Sequence, residues 1–476
     1  MTPVVLWTDA AVWALAAAGL GYLLHVRRHE HLAAPWRRVL RSPSAVASLI
    51  VLAAFAGVGL LDSIHYRPRL EGADARGGRV YAVEVRSALD ALLAPLKART
   101  ERTYSAPLAT RSFARETVEL PDGGVTREFP RLRHGGAHLA DESQHAADVV
   151  ATALQGLALA FLGWAALVAV ATAGLARRHA LSAGAMWRLI ARRWTGVPWI
   201  AVYLTVLVLA LVSAPTALLA ANYHVLGTDK VGQDVLYLSL KSIRTALVIG
   251  TLTTLVMLPP AVLLGIMAGY FKGWIDDLIQ YLYTTINSIP GVLLIAAAVL
   301  IMQVYIDTHS ELFPTTAQRA DFRLLLLCVI LGLTTWTGLA RLLRAESLKL
   351  RELEFIQAAH AFGVPHGRVI TRHILPNVMH IVLIALVMDF SGLVLAEAVL
   401  SYVGVGVDPS MISFGTMINA ARLEMAREPM VWWALAAAFG FMFVLVLAAN
   451  LFADAVRDAF DPRVRVGAAV ARGAGV

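Results

Sequence analysis

Apolar positions gather into nine long stretches, at roughly 4–26, 43–64, 149–176, 198–220, 245–270, 278–306, 323–341, 373–400 and 430–452, with polar segments between them. Each approaches the length of about 20 apolar residues that carries a helix across a bilayer. The pattern predicts an all-α, polytopic transmembrane helical bundle of about nine spans. The first stretch has no basic segment before it, and Arg27 and Arg28 follow it, so it is expected to be a span and not a signal peptide. The period changes between the second and third stretches. Val85, Leu89, Leu92 and Leu96 recur at helical spacing, and Glu116–Leu120 and Val125–Phe129 flank Pro121-Asp122-Gly123-Gly124 as a β-hairpin would. The loop 65–148 is therefore expected to be a small α/β insert.

Composition agrees with the pattern. Of the 476 residues, 58% are hydrophobic and 16% charged, against about 45–50% and about 25% in soluble domains. That excludes a cytosolic enzyme, a secreted domain and a disordered protein. The single cysteine, Cys328, excludes a disulfide framework and any CxxC metal site. The net charge of +8 matters less than where the cations lie. Arg27, Arg28, Arg37, Arg38 and Arg41 crowd the first connection, Arg177, Arg178, Arg188, Arg192 and Arg193 the third. Arg341, Arg344, Lys349, Arg351, Arg368 and Arg372 fall in 341–372, whereas 307–321 holds Arg319 alone. Cytoplasmic loops collect such residues. With nine spans, the N-terminus is expected outside and the C-terminus inside. The insert is then outside as well, and loops longer than about 60 residues escape the charge rule.

Little in the chain suggests catalysis. No GxxxxGK[ST], HExxH or GxSxG occurs, so no phosphate-cradling loop or hydrolase site is expected and ATP-driven work must come from a partner. His134, His138 and His145, near Asp141 and Glu142, fit no standard metal frame and read as solvated polar residues. The most informative loop lies within the last basic cluster, between two of the expected spans. Glu354–Gly363 reads as a short helix that glycine stops, and Pro365 opens a second one toward Arg368 and Arg372, ending before Leu375-Pro376. A stiff, basic helix–turn–helix on the cytoplasmic face could pass motion from a docked protein to the spans. An ordinary loop held at anionic lipid is the plainer alternative.

This loop resembles the EAA loop of ABC-importer permeases: Gln357-Ala358-Ala359, then Gly363, then His373-Ile374-Leu375-Pro376. Gly227-Thr228-Asp229-Lys230-Val231-Gly232-Gln233-Asp234-Val235 resembles the GTDxxGRDV signature of the dipeptide/oligopeptide/nickel permease family. Ala268-Gly269-Tyr270 with Gly273-Trp274-Ile275-Asp276 is similar to that family's next cytoplasmic turn. Glu397-Ala398 and Leu400–Val407 are similar to its EASLSFLGLGV run, and Ser413-Phe414-Gly415 to its SWG. Asn450-Leu451, Asp454 and Arg457–Arg463 match its C-terminal signature. The motifs keep family order from about 222 to 463 and point to the C-type subunit. Gln357 and Gln233 stand where the family has Glu and Arg; the first change is expected to alter docking strength without losing coupling.

The resemblance implies five segments: an N-terminal two-span extension (1–64), a periplasmic insert (65–148), an extra span with cytoplasmic linker (149–197), the permease core (198–463) and a cytoplasmic tail (464–476). Both 43–64 and 198–220 are candidates for the family's usual first span. It also implies a B-type permease partner, two cytoplasmic ATPases that hold the ATP and Mg, an external solute-binding protein, and no cofactor or metal on this chain. Gln357, Ala358, Ala359, Gly363, Arg368, Arg372 and Pro376 would form the ATPase-coupling loop. Gly227, Thr228, Asp229, Gly232, Asp234, Ser413 and Gly415 would form the outer-face motif, with Leu236–Ile243 along the interface and Trp432 and Trp433 as interfacial anchors. Asn287, Ser288, Asp389 and Glu397 are pathway candidates, since polar groups at depth are expensive; capping near Ser401 is the plainer role for Glu397. Pro259-Pro260 is expected to kink its span, and Thr334, Thr335 and Thr337 to back-bond to their own helix. Peptides are the expected substrate. Nickel chelates, a secondary transporter and a non-transporting scaffold built around the insert are the rivals.

Overall fold

A computed structural model describes residues 2–73, 79–119, 125–313 and 315–460. In chain order the helices are α1 Trp7–Arg28, α2 Glu30–Val39, α3 Pro43–Asp62, α4 Ala88–Leu92, α5 Ala94–Ala98, α6 His145–Arg178, α7 Ala183–Ala191, α8 Trp199–Leu219 and α9 Val235–Phe271. They continue as α10 Gly273–Ser288, α11 Gly291–Thr308, α12 Thr316–Thr335, α13 Thr337–Arg351, α14 Glu354–Ala361, α15 His366–Val369, α16 Leu375–Val403, α17 Phe414–Glu424 and α18 Trp433–Phe460. The strands are β1 Thr2–Val4, β2 His65–Arg67, β3 Arg69–Ala73, β4 Arg79–Tyr81, β5 Arg86–Ser87, β6 Glu116–Glu119 and β7 Val125–Glu128. Among the described residues, nine helical segments are long and apolar enough to cross a membrane: Trp7–Arg28, Pro43–Asp62, Glu142–Arg178, Trp199–Leu219, Val235–Phe271, Gly291–Thr308, Thr316–Arg351, His366–Val403 and Trp433–Phe460. The fold is an all-α membrane bundle with small sheets only.

The stretch expected as one span over 278–306 is broken. Ile289 takes an extended conformation before Pro290, so α10 ends and α11 starts afresh. A residue before proline is pushed out of the helical region by the ring. By contrast, Pro259 and Pro260 both lie inside one continuous α9.

The chain divides into two compact units. The first comprises Met1–Val4, Arg37–Thr245 and Ile412–Ala448; the second comprises Val5–Trp36, Ala246–Met411 and the chain from Ala449.

In the first unit α8 packs against both α3 and α6. Gly156 lets α6 approach α8 closely, since a Cβ there would lie 2.5 Å from Pro215 Cα. Met186, Ile190 and Tyr203 bury a core among α6, α7 and α8. The insert is small and mixed as expected. The strands β1, β2 and β5 form an antiparallel sheet, and β6 pairs with β7 in a hairpin with Glu116 opposite Glu128. The turn residues Pro121–Gly124 lie outside the described residues. Leu89 and Leu96 fall on the two short helices α4 and α5.

In the second unit α1 packs on α12. The Asp321 carboxylate accepts from the Thr8 amide at 3.0 Å and from the Thr8 hydroxyl, so it satisfies the start of α1, where amides lack partners. One core joins Leu324, Leu327, Cys328 and Leu331 of α12 to Ile295, Val299 and Met302 of α11. A second joins α9, α10, α13 and α16 through Ala261, Tyr283, Leu343 and Val378. Gly265 and Gly269 permit close contact of α9 with α13: added Cβ atoms would lie 2.7 Å from Ala340 O and 2.5 Å from Arg344 O. Asp276 binds Arg344 with both oxygens, at 2.6 and 2.7 Å, tying α10 to α13.

Candidate functional site

The loop between α13 and α16 is built on a buried seat. Ile356, Val369 and Ile374 are fully buried against the α9, α10, α13 and α16 core. The opposite face is open: Phe362 is 87% exposed, and Arg368 and Arg372 are exposed. A Schellman turn ends α14. The Gly363 amide donates to His360 O at 2.9 Å and the Val364 amide to Ala359 O at 3.0 Å, with Gly363 at φ +69°. Val364 and Ala359 pack against the same core, the apolar contact that accompanies such a turn. Tyr270, near the end of α9, places its hydroxyl 3.0 Å from His360 Nε2 and 2.8 Å from His366 Nδ1. One side chain thus pins both short helices. Gln357 uses its side-chain amide on Glu352 O, at 3.1 Å. Ala358 and Pro376 are exposed and Ala359 is half-buried.

The expected helix end before Leu375-Pro376 is absent. From α15 the chain passes through a π-helical turn, Ile370–Ile374, straight into α16. Pro376 falls in the first turn of α16, where its missing N–H matters least. The α14–α15 loop is therefore continuous with α16.

The signature loop 227–234 lies in the first unit, and the insert grips it. Gly227 and Gly232 have φ of +74° and +75°. Added Cβ atoms would lie 2.5 Å from Ser105 O and 2.0 Å from Glu101 O, so glycine is required at both on two counts. Backbone bonds cross the same seam: Thr228 N to Ser105 O at 3.1 Å, Glu101 N to Gly232 O at 3.0 Å, and Leu108 N to His224 O at 2.9 Å. The buried Thr228 hydroxyl donates to Thr103 O at 3.0 Å and accepts from the Ser105 amide at 2.7 Å. Asp229 accepts from the amides of Val231 and Gln233 at 3.0 and 2.8 Å, and burial pushes its carboxyl up despite them. Asp234 caps α9, accepting from the Leu236 and Tyr237 amides at 2.8 and 3.2 Å.

Behind the loop, His224 Nδ1 is 2.7 Å from Asp234 Oδ2 and His224 Nε2 is 3.4 Å from Glu101 Oε1. Glu101 also accepts from the amides of Arg133, His134 and Gly135 at 2.9, 2.8 and 3.3 Å. Burial opposes charge on both residues, yet the partners prevail. His224 is raised to about 9, and Glu101 is held at about 2.

Other expected residues fall as follows. Ser413 caps α17 through a reciprocal pair with Thr416, and Gly415 is buried. Leu236–Ile243 does not form a separate interfacial segment. It makes the first turns of α9, buried and capped by Asp234. Trp433 is no interfacial anchor: it is 2% exposed, donates to Thr228 O and packs edge-on to Phe113 at 4.8 Å. Trp432 is exposed. Asn287 accepts from Thr337, at 3.1 Å, so that threonine does not back-bond as Thr334 and Thr335 do. Ser288 donates to Thr285 O at 2.7 Å. Asp389 is half-buried on α16. Glu397 is buried, and Ser401 donates to it at 2.6 Å. Asn450 accepts from Ser391 at 2.6 Å; Asp461, Pro462 and Arg463 lie outside the described residues. His138 binds Asp148 at 3.0 Å and His145 binds Leu108 O at 2.8 Å.

The family described as "Binding-protein-dependent transport system inner membrane component" matches residues 261–466. The oligopeptide transport system permease protein OppC of Mycobacterium tuberculosis is 31% identical over 51% of this chain and 77% of its own. The glutathione transport system permease protein GsiD of Pectobacterium atrosepticum is 31% identical over 52% of this chain and 74% of its own. This chain belongs to the peptide ABC-importer permease family. The dipeptide permease DppC of Lactococcus lactis is 29% identical over 50% of this chain and 64% of its own. A solved inward-facing methionine ABC transporter, MetNI, is similar at TM-score 0.35 and 15% identity over 48% of this chain and 97% of that one, too low to carry an inference. This permease is thus a multi-pass inner-membrane protein of a family that works with ATPases and binding proteins. Sequence reasoning missed Glu101, His224 and Trp433 as partners of the 227–234 loop. Ser105 and Thr228, which mark the same seam, stand 123 residues apart, and no local pattern links such positions.

Proposed function

We propose that this permease is the C-type subunit of a di- or oligopeptide importer. A B-type permease subunit completes the path, two cytoplasmic ATPases bind ATP and Mg, and an external binding protein delivers substrate. The N-terminus lies outside and the C-terminus inside, as the basic loops favour. The family core runs over 198–463, with 1–64, 65–148 and 149–197 as additions and 464–476 as a tail. The chain itself holds no cofactor and catalyses no reaction. The observation that carries this reading is the α14–α15 turn, an exposed Phe362, Arg368 and Arg372 face on a buried seat continuous with α16. Closure of a docked ATPase would move α16 with it. On this reading Asp389, Asn287 and Ser288 face the path, and the 227–234 loop with Ser413 and Gly415 forms the outer side.

Uptake tests it. A strain lacking the gene is offered labelled dipeptides, tripeptides and nickel separately, and complemented with the intact chain or with Gly363→Pro. Peptide uptake that returns with the intact chain but not with membrane-inserted Gly363→Pro supports the reading. Loss of nickel uptake alone points to chelate import. Unchanged uptake of all three counts against it.

A further inference from the structure

Two separate buried ionic clusters hold the insert against the start of α9. In the first, Asp90 on α4 accepts the Tyr237 hydroxyl at 2.8 Å and lies 3.2 Å from Lys241 Nζ. Lys241 also lies 2.6 Å from Asp62 at the end of α3, and Ser87 donates to the same Asp62 oxygen at 2.6 Å. In the second, Glu101 reaches Asp234, the cap of α9, through His224. Exposed ion pairs contribute little. These are not exposed: Asp62, Asp90, Glu101, His224 and Asp234 are all under 9% accessible. Removing one partner would leave a buried charge behind. The loop's shape also needs the insert, since Gly227 and Gly232 pass too close to the Ser105 and Glu101 carbonyls for any side chain. The insert, the loop and α9 up to Thr245 belong to one compact unit.

We propose that Asp90 and Glu101 are positioning residues for transport: acting through Lys241, Tyr237 and His224, they hold the insert, the 227–234 loop and the first turns of α9 in one fixed arrangement, through which a docked external binding protein acts on α9. This rests on the importer reading above. It predicts that the insert does not come off the loop during turnover.

The test uses the complete importer, with its ATPases, second permease and binding protein, in proteoliposomes. ATP hydrolysis is read with and without the binding protein for the unsubstituted chain, Asp90→Asn, Glu101→Gln and the double variant. The double variant keeps its basal hydrolysis but loses stimulation on the order of fivefold or more, the lower range of a coupling between sites. The Ser105 and Thr228 hydroxyls are 3.1 Å apart, so a Ser105→Cys, Thr228→Cys pair can bridge insert and loop covalently. Oxidation of that pair in the double-variant background restores stimulation, and reduction removes it again. In the otherwise unsubstituted chain the bridge leaves stimulation intact. A bridge that abolishes stimulation there would show that the insert must move, and would overturn the proposal. Normal stimulation in the double variant would overturn it as well. An unsubstituted complex without any stimulation would overturn the importer reading first.

Discussion

The Trp433 indole donates its Nε1–H to Thr228 O at 2.9 Å, joining the start of α18 to the signature loop while Phe113 of the insert packs edge-on against the same ring. Trp433→Phe keeps most of that packing and leaves a buried carbonyl without its donor. Such a loss costs about 1–3 kcal/mol. Thermal unfolding of the detergent-purified chain should show a lowered midpoint. An equal midpoint would mean that the hydrogen bond adds nothing beyond the ring contact.

Gly232→Ala should be the most damaging single-methyl change in the 227–234 loop. It meets the Glu101 carbonyl at 2.0 Å and a left-handed φ of +75° together. The backbone must shift, and the Glu101 N to Gly232 O bond goes with it. Limited proteolysis of intact spheroplasts should cut the insert much faster in this variant. Unchanged digestion would show that the seam tolerates a separation the geometry does not provide for.

The seam should also respond to pH. His224 titrates at about 9 in the folded chain, above its ordinary 6.5, so its contribution is fully present below about 6.5 and lost as pH rises through 9. Glu101 titrates at about 2 instead of 4.5, so its contribution is present above 4.5 and lost as pH falls toward 2. Protection of the insert from protease should therefore be greatest between about pH 5 and pH 6.5 and decline above it. His224→Gln should remove the alkaline decline. If the decline persists in that variant, another group carries it.

Two prolines, Pro290 and Pro376, show how legible the fold was. Span positions followed from apolar length, because a helix must satisfy its own backbone in lipid. The break at Ile289–Pro290 follows the polar Thr284, Thr285, Asn287 and Ser288, and a span drawn from apolar length alone does not register one extended residue. Pro376 misled in the other direction: it reads as a stop, but a π-helical turn delivers it into the first turn of α16. The 227–234 site was half legible. Gly227, Gly232, Asp229 and Asp234 stand in one short motif with turn chemistry of their own. Glu101 and Trp433 reach that motif only through the folded chain, so no sequence window contains them with it.

Gly363 separates two causes of failure in the proposed coupling loop. Nothing lies within 4 Å of an added Cβ, so Gly363→Ala meets only the left-handed φ of +69°. That strain is about 1–2 kcal/mol, and the Schellman bonds can survive it. Gly363→Pro cannot adopt the φ, and it deletes the amide that donates to His360 O. His360 is one of the two groups that Tyr270 pins, so the disturbance reaches α15 as well. Uptake by cells with equal membrane levels of each variant should therefore be near normal for Gly363→Ala and absent for Gly363→Pro. Equal loss in both would mean that the open space beside Gly363 is occupied in the assembled importer, and that the docked ATPase itself, not the turn, excludes a side chain there.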